Sequence, residues 1–220
     1  MDLQKIKRSY DVIVSLGNAC NPAMKLREHN LRTFSGPLDW SYSHSLSDVN
    51  RLLQNKFNGF MDLKNMHLID GSDHVLKDGI FTQPIKSHYV KDSYYNILSV
   101  HDFPIIPNQE WSVTYPAYKE RLNYRIDRFM ENITNGQFIL FVRWSADYNQ
   151  AVELRSILSQ MVKGQFNILI LNPVDGLQKV IEMNWEVDNI CAVEVPNLPF
   201  DNSIWDYVLN GITLTSQNAT

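Results

Sequence analysis

The chain holds two cysteines, and their surroundings give them different chemistry. Cys20 lies in Gly17-Asn18-Ala19-Cys20-Asn21-Pro22, between an apolar run that ends at Leu16 and the stretch AMKLREHN. Asn21 suits the cap of a helix and Pro22 its first turn, which puts Cys20 at the helix edge. Unpaired N–H groups and the helix dipole there favour a thiolate and lower the thiol pKa, as a cysteine nucleophile requires. A lone cysteine also packs well as a small apolar side chain. Cys191, inside NICAVEV, reads as core.

Such a nucleophile needs a base that takes its proton and later returns it to a leaving group. The histidines are His29, His44, His67, His74, His88 and His101. His101 stands out because it follows the apolar segment 97–100 at an expected strand end, and strand ends in open α/β sheets face clefts. A polar loop histidine without a partner would carry the same signature. A third group would fix the imidazole tautomer. Asp39 in Gly36-Pro37-Leu38-Asp39-Trp40, Asp102 beside His101, and Asp147 are the candidates. Arg143 can bind a carboxylate or hold Asp39 in a buried pair. Asn18, Trp40, Arg143 and Asp147 are the expected substrate contacts, with Trp40 and Trp144 as core or cleft-wall aromatics. A sulfur more than about 8 Å from every imidazole would exclude the nucleophile–base pair.

The elements that position these groups follow from hydrophobic pattern. YDVIVSL at 10–16 is a buried strand ending at Gly17. A helix follows Cys20, and another, capped by Ser45 or Ser47, carries Val49, Leu52, Leu53 and Phe57 on one face. Residues 61–99 give only short apolar fragments between turns. Pro116 opens a helix over 117–132, with apolar residues recurring at three and four. Strands at 137–144, 166–171 and 189–195, a helix over 149–162 and a short one over 203–209 complete the pattern. Strand–helix alternation with continuously apolar strands predicts one α/β domain over 1–220, its mostly parallel sheet flanked by helices on both faces. The tail 213–220 is expected to fray.

Composition narrows the function. The 220 residues are 44% hydrophobic and 20% charged, with a net charge of −4, which argues against nucleic-acid binding driven by bulk charge. No apolar run reaches the length of a membrane span, no signal-peptide pattern follows the basic start, and two cysteines suit a cytoplasmic setting. GxGxxG, Walker, CxxC, HExxH and GxSxG patterns are missing, so neither cofactor nor metal is expected. Asn132-Ile133-Thr134 matches a glycosylation sequon, without consequence in that setting.

Taken together, Ser15-Leu16-Gly17-Asn18-Ala19-Cys20, Ser35-Gly36-Pro37-Leu38-Asp39-Trp40 and His101-Asp102-Phe103 resemble the bacterial family described as papain-like cysteine peptidases. Leu38 stands where that pattern more often has Phe. The resemblance implies Cys20 as nucleophile, His101 as base and an Asp to orient it. It also implies an alternative α+β fold, in which the cysteine helix precedes an antiparallel barrel that holds the histidine. Two functions are then expected. One is a cysteine hydrolase of peptidase or amidase type, or an acyl transferase, with the 17–20 turn and the helix start holding the oxyanion. The other is a non-peptidase domain that binds a polar small molecule, such as a sugar or nucleotide, through Arg143, Asp147 and His101. A peptide or small-molecule substrate is the expected partner; oligomeric state is left open.

Overall fold

The computed structural model describes residues 1–77 and 79–215, with the backbone alone at 81–83. The chain begins with α1 (Leu3–Ile6), β1 (Ser9–Tyr10) and β2 (Val12–Ser15). Gly17 (φ 76°) and Asn18 (φ 71°) then turn it into α2 (Asn21–Glu28). Cys20, not Asn21, is the N-cap, and it makes no side-chain capping bond. β3 (Ser41–Tyr42) and α3 (Leu46–Gln54) follow, the latter capped by Ser45. Next come three long strands, β4 (Met66–Lys77), β5 (Ile80–Asp92) and β6 (Ile97–Pro104). The remainder is α4 (Tyr115–Asn135), β7 (Phe138–Trp144), α5 (Tyr148–Met161), β8 (Gln165–Val174), β9 (Ile181–Met183), β10 (Ile190–Pro196), α6 (Asn202–Leu209) and β11 (Thr213–Leu214).

The architecture is mixed α/β, and the expectation of a mostly parallel sheet holds for half of it. One five-stranded sheet has the order β2-β7-β8-β10-β9, parallel throughout except for the antiparallel edge strand β9. A second sheet, β3-β6-β5-β4, is wholly antiparallel and is inserted between β2 and β7. β4 is exposed over most of its length, so it carries no apolar alternation to announce it. Antiparallel sheets tolerate a wet face, whereas parallel strands buried on both faces read as apolar runs. β1 pairs with β11, so the start of the expected frayed tail is a strand; residues 216–220 lie outside the described residues.

Alternate residues of the parallel sheet feed two cores. Val12, Val14, Ile139, Phe141, Ile168 and Ile170 pack under α3, α4 and α5, in a core that also takes Val90, Ile97 and Phe103 of the antiparallel sheet. Ile13, Leu140, Val142, Leu169, Cys191 and Val193 face the other way, against Leu26 of α2 and Trp205 of α6. The shared first core fixes the antiparallel sheet against the carboxyl ends of the parallel strands. At that junction β2 delivers Cys20.

Candidate active site

A buried arginine holds the Cys20 turn in place. Arg143, at the end of β7, donates to the Leu16 carbonyl at 2.8 Å, to Ser43 Oγ at 2.7 Å and to the Ser145 carbonyl at 3.2 Å. It also donates to the Ser43 carbonyl. These bonds tie the ends of β2, β3 and β7 together. Burial lowers the guanidinium to about 9, with the charge of Asp48 acting the other way. The Ser43 N–H reaches the Asn18 carbonyl at 2.9 Å, closing the turn from the other side. Gly17 is required here: its φ is positive, and a Cβ would come within 3.2 Å of the Leu38 carbonyl and Ser43 Oγ.

His101 reaches the turn because β6 bulges. Ser99 pairs with Val90 and Phe103 with His88, so Val100, His101 and Asp102 stand opposite Tyr89 alone. A bulge of this kind breaks the ladder and re-aims its side chains. His101 Nε2 lies 3.4 Å from Cys20 Sγ, well within the separation a nucleophile–base pair requires. The ring's other nitrogen, Nδ1, lies 2.7 Å from the backbone carbonyl of His74. A carbonyl can only accept, so Nδ1 carries the proton and Nε2 presents a lone pair to the thiol. β4 can offer that carbonyl because its pairing with β5 shifts register between His74 and Leu76.

The electrostatics differ from the sequence expectation. Cys20 is 6% exposed, and burial pushes its thiol up from 9.0 to about 12, with Asp73, Asp102 and Asp39 pushing the same way. The helix edge was expected to lower this pKa. Desolvation of the charged form, with carboxylates nearby, outweighs the helix terminus. The resting Cys20 therefore holds its proton as a thiol.

The other expected site residues are distributed as follows. Asp102 does not orient His101; it accepts a 2.7 Å hydrogen bond from Ser99 Oγ. Asp39 is buried and pairs with neither His101 nor Arg143. Its partners are Arg32 Nε at 2.8 Å and the Gly36 N–H at 2.8 Å. Burial pushes the Asp39 carboxyl up while Arg32 and Gly36 pull it back. Asp147 is the N-cap of α5, in a capping box with Gln150. Trp40 is buried beside Cys20 and Ala23. Asn18 joins Cys20 in lining the cleft. What sequence reasoning missed was His74, whose role comes from a main-chain carbonyl that no side-chain pattern advertises.

Cys20 and His101 open into a cleft of about 640 Å³. Its floor is the carboxyl end of the parallel sheet, through Trp144, Ser145 and Pro173, and its roof is the antiparallel sheet, through Tyr42, His74 and Leu76. Met24, Pro199 and Phe200 add apolar wall. Among the described lining residues Asp73 is the one carboxylate, and there is no Lys or Arg. Arg143 and Asp147 do not line it, which removes two of the three ligands expected for a polar small molecule. A second cavity, of about 530 Å³ between Leu177, Lys179, Ile204 and Tyr207, contains no Cys or His among its described lining. Among the described residues no cluster of His, Cys, Asp and Glu could hold a metal ion, and no helix is long and apolar enough to cross a membrane.

Comparison with curated proteins and with solved structures returns no match. A family model described as "Putative papain-like cysteine peptidase (DUF1796)" matches residues 11–176, a span that includes Cys20, the 39–40 segment and His101. That span is more than half of the 220 residues, and the chain belongs to this family.

Proposed function

We propose that the protein is a cysteine-nucleophile hydrolase of peptidase or amidase type, with Cys20 as nucleophile and His101 as general base. The observation that carries this reading is the 3.4 Å contact between Cys20 Sγ and an Nε2 left as acceptor by the His74 carbonyl, inside a cleft large enough for a substrate.

With substrate bound, His101 Nε2 accepts the thiol proton as Sγ bonds to the carbonyl carbon and the C=O pair moves onto oxygen. The tetrahedral adduct collapses, the bond to the leaving group breaks, and His101 returns the proton to it. A thioester on Cys20 remains. Water, deprotonated by the same imidazole, attacks this thioester and restores the thiol. An amine in place of water would make the reaction an acyl transfer. Because the resting thiol is protonated, proton transfer accompanies attack and no preformed ion pair is needed. The apolar walls and, among the described lining residues, the single carboxylate of Asp73 favour neutral or cationic peptides and apolar acyl groups over phosphorylated or carboxylate-bearing substrates.

The test uses p-nitrophenyl butyrate as acyl donor. Intact-mass and peptide mapping should find a butyryl group on Cys20 of the wild type and none at that site in Cys20→Ala. His101→Ala should acylate roughly 100-fold or more slowly. A wild type that neither carries the butyryl group on Cys20 nor releases p-nitrophenol faster than Cys20→Ala would overturn the reading.

A further inference from the structure

We infer that the Asn21 side-chain amide donates a hydrogen bond to the oxyanion formed when Cys20 attacks a carbonyl. The inference rests on the nucleophile reading above. It adds a residue that was expected only as a helix cap.

Asn21 is 1% exposed, and its Nδ2 has no hydrogen-bond partner. A buried amide nitrogen without a partner costs stability, and native folds pair such groups unless something else requires them. Four buried side-chain atoms among the described residues are unpaired: Asn21 Nδ2, Trp40 Nε1, Asn50 Oδ1 and Arg155 Nε. Of their residues, Asn21 alone also lines the cleft that contains Cys20 and His101. It directly follows the nucleophile at the first position of α2, so its Cα is fixed about 3.8 Å from that of Cys20.

The surroundings explain why this donor matters. The helix start would ordinarily supply main-chain N–H groups to an anion, but Pro22 removes one of them. No Lys or Arg stands among the described lining residues, and Asp73 adds negative potential. An oxyanion at this site therefore depends on neutral donors, and Asn21 is a cleft-lining residue with an amide nitrogen left unpaired. A preorganised amide of this kind acts in the transition state without reorganising, and removing one such donor typically lowers kcat about 100- to 1,000-fold. The backbone N–H groups of the 17–20 turn remain as its partners.

The test measures p-nitrophenyl butyrate acylation of wild type, Asn21→Ala, Asn21→Leu and Cys20→Ala. Both Asn21 variants should lose roughly 100-fold in acylation rate while KM stays within about threefold, because the bond forms to the transition state and not to the ground-state ester. Thermal melting identifies variants that fold. A folded Asn21 variant that acylates within threefold of wild type overturns the role of Asn21 and leaves the nucleophile untouched. A wild type that does not acylate at Cys20 overturns both. A second measurement needs no variant at Asn21: the side-chain amide resonances of Asn21 should shift when acetyl-Leu-Leu-norleucinal forms a thiohemiacetal in wild type, and should stay put in Cys20→Ala. Resonances unmoved in a wild type that has formed the adduct would overturn the inference.

Discussion

His101 Nδ1 donates to the main-chain carbonyl of His74 at 2.7 Å, so the imidazole facing Cys20 is oriented by backbone and not by a carboxylate. A carbonyl fixes the tautomer as well as an aspartate does, but it offers no negative charge to stabilise an imidazolium. The neighbouring carboxylate of Asp102 is held instead by Ser99 Oγ.

Asp102→Asn should therefore leave acylation of Cys20 within about threefold of wild type, since an amide oxygen still accepts from Ser99. His101→Gln, which retains polarity but loses the base, should lower it by about 100-fold or more. The two rates with p-nitrophenyl butyrate check this. A loss in Asp102→Asn comparable to that in His101→Gln would mean that the aspartate, not the carbonyl, governs the imidazole.

The burial of both thiols sets an alkaline limit on stability. Cys20 and Cys191 are each pushed from 9.0 to about 12, first by burial and then by carboxylates that include Asp73 for Cys20 and Glu182 for Cys191. Between those values the folded state holds protons that the unfolded chain has released. Stability is thus fully present below about pH 9 and declines as pH rises toward 12, by at most about 1.4 kcal/mol per pH unit per thiol. Melting curves from pH 7 to 10.5 should show the decline, and Cys20→Ala should flatten it. Thiolate absorbance near 240 nm in the folded protein should stay low at pH 9, and iodoacetamide should alkylate Cys20 slowly at pH 7. A slope unchanged by Cys20→Ala would refute the burial argument.

The parts of this molecule legible in its sequence are those where burial leaves a pattern. β7, β8 and β10 are sealed on both faces and read as unbroken apolar runs, and α4 and α5 repeat apolar residues at helical spacing. Cys20 was legible because glycine, cysteine and proline mark a strand–turn–helix passage. The antiparallel sheet was not. β4 is largely exposed, and β5 and β6 change register, so neither strand period survives along them. Those irregularities aim His101 and free the His74 carbonyl. The feature that builds the site thus erased its own signal. Asn21 read as a cap because capping and oxyanion donation favour the same residue type. Only the missing partner at Nδ2 separates the two.

The link at Gly79 between β4 and β5 lies against the indole of Trp40, beside the nucleophile. Gly79 has φ 72°, and a Cβ there would sit 2.1 Å from Trp40 Cη2. Its carbonyl accepts from Arg27 of α2 at 3.3 Å, which ties the hairpin to the helix that follows Cys20. Gly79→Ala must displace either the hairpin or the indole. Displacing the hairpin moves β4 and with it the His74 carbonyl that orients His101. Overpacking of this sort costs about 1–3 kcal/mol, and acylation at Cys20 should fall with it. Gly176→Ala separates backbone strain from this contact: its φ is 76°, yet nothing lies within 4 Å of the added carbon. It should cost about 1 kcal/mol and leave acylation unchanged. Equal melting shifts and equal rates for the two variants would show that the Trp40 contact does not support the site.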